Sequence, residues 1–215
     1  MPRLRRVPPG RAGRMWLQHR LQVAHRGARL LDQKLRILRG EQERFTLLTA
    51  RTGQAWEAAC READTWLVRG AMLGGQRALR LGRPEAHATV DVSWASAMGV
   101  RHPADARCVL PEPDPTSAPL GNTALFHAQD AYRRAAQAGV DHAVAQAALR
   151  VVDAEVTATR RRLRAVEDRW VPQLEAALAE VELGLEELEH AEGVRLRWAA
   201  GRNATHAGAG EERPP

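Results

Sequence analysis

Aromatic residues are scarce in this 215-residue chain, at 4 % of the total against 44 % hydrophobic overall. The apolar content is therefore mostly Ala, Leu and Val, an alphabet that favours helices over sandwiches or barrels. Lysine is scarcer still: Lys34 is the only one, and every other basic side chain is arginine. The two cysteines, Cys60 and Cys108, have no metal-ligand spacing between them. That excludes a disulfide framework and fits a reducing compartment. Mean hydropathy is −0.43 and no apolar run is long enough to span a bilayer, so no direct membrane insertion is expected. The basic opening MPRLRRVPPGRAGR has no continuous apolar stretch and is not read as a secretory signal.

Motifs for chemistry are absent as well. No GxxxxGK[ST] phosphate cradle and no HExxH or paired cysteine ligands occur. GAMLGG, residues 70–75, lacks the strand and lysine of a phosphate loop and reads as helix or a helix irregularity. His25 and His190 could fall level on two antiparallel helices, but no third ligand accompanies them. No Ser-His-Asp or Cys-His set can be assembled. The chain is therefore expected to be no enzyme by itself, with no catalytic residue, cofactor or metal. Net charge is +6 and the isoelectric point about 10.7. Without an aromatic-interleaved basic patch, no nucleic acid partner is expected.

What is present is helical periodicity. Leu17, Leu21, Ala24, Ala28, Leu31, Leu35 and Leu38 follow a 4-3 beat, continued through Phe45, Trp56, Trp66 and Leu73. Unbroken 4-3 alternation is the seam of a left-handed coiled coil. It predicts one helix from about Arg14 to Leu81, roughly 100 Å long at about 1.5 Å per residue. Gly82 and Pro84 supply its stop. A second beat runs through Val152, Val156, Thr159, Leu163, Val166 and Trp170. Leu174 follows after four residues, then Ala177, Val181, Leu185 and Leu188. The repeated four-residue step is a stutter, and Pro172 lies inside it, which predicts a local bend. Trp56, Trp66 and Trp170 fall on the seam. Between the helices, HATVDVSW alternates with Val90, Val92 and Trp94 on one face, and RCVL can pair with it. That predicts a short hairpin over about Ala88–Leu110, with Trp94 either in its small core or anchoring a partner. PEPDPTSAPLGN must be a loop.

The expected class is all-α: a long two-helix antiparallel left-handed coiled coil with a small central β-hairpin knob. Its parts are a basic tail (1–13), a first long helix (14–82), a central hairpin and Pro-rich loop (83–122), a second long helix (123–200) and a disordered tail (201–215). Charge supports the antiparallel pairing. Residues 1–50 carry twelve cations against three acids, and residues 167–192 carry nine acids against one cation. Aligning the helix ends sets Trp16 near Trp198, Leu35 and Leu38 near Ala177 and Val181, and Trp56 near Thr159.

Three separated blocks carry a family resemblance. PGRAGRMWLQHRLQVAHRGARLLDQKLRIL resembles the N-terminal helix of the D subunit of the V/A-type ATPases and ATP synthases. Pro9, Arg11, Ala24, Gly27, Leu30, Leu31 and Lys34 occupy the family's motif places, and Gly10 replaces the usual Thr. MGVRHP is similar to the family's central MGV-x-x-P, through Met98, Gly99 and Pro103. RRRLRAVEDRWVPQLEAAL resembles its C-terminal block, through Arg161, Arg162, Ala165, Glu167, Pro172, Leu174 and Glu175, with Arg164 where Asn is usual. LEELEHAEGVRLR is also similar, although Gly193 and Val194 replace an aromatic pair. The resemblance implies a central rotor shaft that is not itself catalytic. Its implied partners are the nucleotide-binding catalytic and regulatory subunits of the head, the small F subunit of the rotor and the funnel subunit of the membrane rotor. Its implied place is peripheral, on the cytoplasmic face of the membrane. A coiled-coil scaffold or adaptor unrelated to rotation is the alternative that the residues alone leave open.

Overall fold

A computed structural model describes residues 7–81, 87–111 and 122–208. The elements are α1 (Gly10–Leu81), β1 (Thr89–Ala97), β2 (Val100–Val109), α2 (Thr123–Ala165), a π-turn (Val166–Trp170) and α3 (Val171–Gly208). The chain is mostly helical with one small antiparallel sheet, as expected. The stop at Gly82 and Pro84, most of the Pro-rich loop and residues 209–215 lie outside the described residues. Helix α3 continues to Gly208, past the expected end at Ala200. The chain divides into two compact units, Gln33–Arg160 and Met1–Asp32 with Arg161–Pro215.

In the unit of residues 33–160, α1 and α2 run in opposite directions. Trp66 meets His127, Asp64 meets Tyr132, Trp56 meets His142 and Gln42 meets Asp153. The two faces are unequal in size. Helix α2 buries Ala124, Ala128, Ala131, Ala135, Ala145 and Ala148. Small side chains let it approach α1 closely and seat the larger Phe45, Trp56 and Trp66. This pairing corrects the expected register: Trp56 faces His142, seventeen residues before Thr159. The cause is at the chain reversal. Asn122 caps α2, its Oδ1 accepting from the Leu125 N–H at 3.0 Å, while its Nδ2 donates to the Gly70 carbonyl at 3.1 Å. Helix α2 therefore starts level with Gly70, not with the end of α1, and every later pair moves accordingly. Beyond that point α1 leaves the predicted seam. Leu73 is exposed and Ala78 buried. Gly75 adopts φ 64° and ψ −174°, a kink that only glycine tolerates without strain.

The hairpin turns through Met98 (φ 50°) and Gly99 (φ 78°) between Ala97 and Val100. Two positive φ values in a two-residue loop match the twist of the strands. A bulge between Ser93 and Trp94 puts an extra residue in β2. Regular alternation sends neighbours to opposite faces, yet His102 and Pro103 are both buried; the bulge's bend permits this. The His102 ring meets Phe45 edge-on at 5.0 Å. Ala106 is buried too, whereas β1 is exposed from Thr89 to Ser96. The hairpin thus leans on the helices through β2, which a lone pair of strands requires.

In the other unit, Leu17, Ala24, Val171 and Leu174 form a buried cluster. Trp16, Leu21, Val166, Trp170, Ala177 and Val181 pack around it, and so does Val7. Ala177 and Val181 therefore meet the Leu17 level of α1, not Leu35 and Leu38. Val7 arrives by a hook. Gly10 has φ 69°, and the chain before it folds back so closely that a side chain at Gly13 would collide with the Pro8 carbonyl. The expected stutter takes the form of a π-turn, closed by the Val171 N–H donating to the Val166 carbonyl. Pro172 explains it: the ring has no N–H and crowds the Asp168 carbonyl in an α-helix, and a wider turn relieves that contact.

Candidate functional site

Surfaces that α1, α2 and the hairpin leave uncovered are the candidates, because exposed apolar clusters mark sites of contact. Among the described residues, no group of three His, Cys, Asp or Glu side chains could hold a metal. His25 lies with Ala28, Arg29, Asp32, Glu167 and Val171 along one groove, whereas His190 stands exposed on α3. The register that would have levelled them is not the observed one. No described helix is long and apolar enough to cross a membrane.

The first surface is the end of α3. Arg11 Nη2 approaches Glu189 Oε1 at 3.3 Å, so the start of α1 is level with Glu189. Beyond that level α3 has no α1 residue opposite. Leu188, Val194, Leu196 and Trp198 are all more than half exposed. Trp16, expected beside Trp198, packs instead on the Leu17 and Leu174 cluster.

The second surface is the outer side of the hairpin. Val90, Val92, Trp94, Met98 and Val109 are exposed, and the Arg101 guanidinium sits 4.7 Å from the centre of the Trp94 ring. Trp94 is 53 % exposed, which leaves it outside any strand core. Gln137 Oε1 accepts from the Cys108 N–H at 3.3 Å and fixes the inner edge.

The third surface is the chain reversal. Val68, Met72, Leu73 and Phe126 are exposed there. Beside them lies a groove of about 310 Å³ lined by Leu67, Ala78, Leu110, Leu125, Tyr132 and Arg133. Arg133 donates to the Pro111 carbonyl at 2.7 Å. The Tyr132 hydroxyl donates to Asp64 Oδ1 at 2.6 Å. That bond, partial burial and the Asp64 charge push the Tyr132 pKa up to about 12.

The residues singled out from sequence are distributed as follows. Leu17, Leu35, Leu38, Leu163 and Leu174 are buried, and Leu21, Leu31, Val166, Trp170 and Val181 are partly so. Two seam expectations are corrected. Trp56 is 41 % exposed, because its indole is too large for the seam and lies across Gly139 and His142. Leu188 is 60 % exposed, because α1 only begins beside it. Of the motif positions, Ala24 and Pro103 are buried, Gly27 and Lys34 are partly buried, and Pro9, Arg11, Met98, Gly99, Arg161, Arg162, Glu167 and Pro172 are exposed. Lys34 Nζ contacts Glu155 Oε1 at 2.8 Å, and both side chains are about three-quarters covered. Sequence reading missed the pairing of three of the four α1 aromatics with a histidine: Phe45 with His102, Trp56 with His142 and Trp66 with His127. Its only signal was the placing of His127 and His142 fifteen residues apart on one helix.

A search of curated proteins found no match. The family model for the D subunit of ATP synthase matches residues 15–201, from the first turns of α1 almost to the end of α3, and on that match the chain belongs to the ATP synthase D-subunit family.

Proposed function

We propose that this chain is the central rotor shaft of a V/A-type ATP synthase or ATPase. Family membership makes it a subunit of a rotary ATPase complex working in ATP synthesis and ion transport. The observation that carries the finer reading is the uncovered end of α3. A single helix that outruns its partner by several turns, with Trp198 and Leu196 uncovered, is shaped to enter a surrounding ring. In this reading that end turns among the nucleotide-binding catalytic and regulatory subunits. The exposed residues of the chain reversal seat on the funnel subunit of the membrane rotor, and the neighbouring part of residues 73–144 takes the small F subunit. The 4-3 seam is a left-handed coiled coil that carries the torque. The chain itself moves no phosphate, and it works peripherally on the cytoplasmic face of the membrane.

Reconstitution tests the reading. Membranes carrying the complex should pump protons or sodium ions on addition of ATP when this chain is included and lose pumping when it is left out. Full pumping without it overturns the shaft. A pull-down that recovers the chain without any nucleotide-binding subunit favours a scaffold instead.

A further inference from the structure

The π-turn is the one place where the described helix departs from α-helical bonding between α2 and α3, and it sits between two firm anchors. Leu163 before it and Leu174 after it are buried, at 9 % and 0 % exposure. None of the five residues of the turn itself is buried. The turn is closed by a bond from the Val171 N–H to the Val166 carbonyl. Pro172 follows directly and has no N–H with which to tighten the next step. Across from the turn the first helix presents the small Ala28. The groove between them, about 510 Å³, is lined by His25, Ala28, Arg29, Asp32, Glu167 and Val171. The turn therefore has room beside it and a weakened ladder, and its apolar contact is limited to the partly buried Val166 and Trp170, with Glu167, Asp168 and Arg169 exposed. These are the marks of a segment that opens locally at low cost.

The geometry points to Val166–Trp170 as the torsional yield point of this helix pair: twist applied to the projecting end of α3 opens the Val171–Val166 hydrogen bond while Leu163 and Leu174 keep their seats. The inference rests on the rotor reading for the source of the twist, but not for the mechanics. A full change of the turn to α-helix would rotate the rest of α3 by about 100° and shift it by about 1.5 Å. That would drag Leu174 out of the cluster, so the motion is confined to the five-residue turn. Glu167 and Asp168 have solvent to move into and no buried contact to give up.

Two variants of the full chain test this. Deleting Asp168 removes the extra residue, so that the turn closes as an ordinary α-turn with both anchors still seated. Pro172→Ala keeps the residue count and restores the missing N–H. Amide hydrogen exchange in the unaltered chain should be at least about tenfold faster across residues 166–171 than in the turns holding Leu163 and Leu174. Either variant should bring that segment to within about threefold of its flanks. In the assembled complex, the deletion variant should show smaller angular fluctuations of the shaft in a single-molecule rotation assay. Exchange across 166–171 as slow as in the flanks, or unchanged in both variants, overturns the yield point. Equal angular fluctuations overturn its share in the torque path. The exchange measurement needs no rotation, so it decides the mechanics separately from the rotor reading.

Discussion

Replacing Gly13 by alanine tests the N-terminal hook with a single carbon atom. The new Cβ has no room beside the Pro8 carbonyl, so the hook must lift and Val7 must leave the Leu17 cluster. The expected cost is about 1–3 kcal/mol, as for other overpacked sites, read as a lower melting temperature of the chain. Gly27→Ala is the control on the same helix. Nothing lies within 4 Å of its Cβ, so the change should stabilise by about 0.5–1 kcal/mol through helix propensity. Thr49 offers a different case, since its hydroxyl is buried with no hydrogen-bond partner. Thr49→Val keeps the shape and removes the unmet polar atom, and it should raise stability by about 1–2 kcal/mol in denaturant unfolding. Tyr132 adds a pH dependence. Its pKa is about 12 in the folded chain against an ordinary 10.0, so the folded state holds this proton more tightly than the unfolded one. The stability it contributes is complete below pH 10 and is lost as the pH rises toward 12. Because this is the only tyrosine, tyrosinate absorbance reads it directly, and Asp64→Asn should move the transition down.

Helix α2 makes its contact through alanine, and that sets its tolerance. Ala148 is fully buried and Ala143 exposed. Ala148→Leu should destabilise by about 1–3 kcal/mol, whereas Ala143→Leu should lie within about 0.5 kcal/mol of the parent. The same alanines explain what the sequence could and could not reveal. The 4-3 beat from Leu17 to Gly70 was legible because a helix buries one stripe whatever its partner. The register was not. A stripe of small residues fits several alignments almost equally, and exposed charge pairs such as Arg11 with Glu189 are worth only about 0.2–1 kcal/mol each. What set the alignment was Asn122 bonding to Gly70, a contact between residues that carry no periodic signal. The hairpin was legible in the alternation of Val90, Val92 and Trp94. Its seat on Phe45 was hidden, because the bulge breaks the alternation of β2 where His102 and Pro103 turn inward. The stutter and Pro172 pointed to an irregular turn at the right place; the π form depends on backbone bonding that side-chain spacing does not encode. The candidate surfaces were the least legible, since their exposure follows from the register.

For the molecule as a whole, the projecting end of α3 separates folding from assembly. Among residues 186–200, truncation after Leu185 removes only exposed positions and the partly covered Gly193, with the single exposed pair of Glu189 and Arg11. The truncated chain should melt within a few degrees of the parent, yet its recovery with the nucleotide-binding subunits should fall at least about tenfold, a loss of roughly 1.4 kcal/mol or more in binding. Undiminished recovery would place the ring contact elsewhere on the chain. Lys34 carries a further consequence. It is the sole lysine and is held by Glu155 between the helices, so the folded chain presents no freely accessible ε-amine. Acylating reagents, and any enzyme that acetylates or conjugates lysine, must compete with Glu155 for a partly covered amine. The rate at which Lys34 reacts, read by mass on the peptide that carries it, therefore reports how often its ion pair with Glu155 opens, without an introduced label.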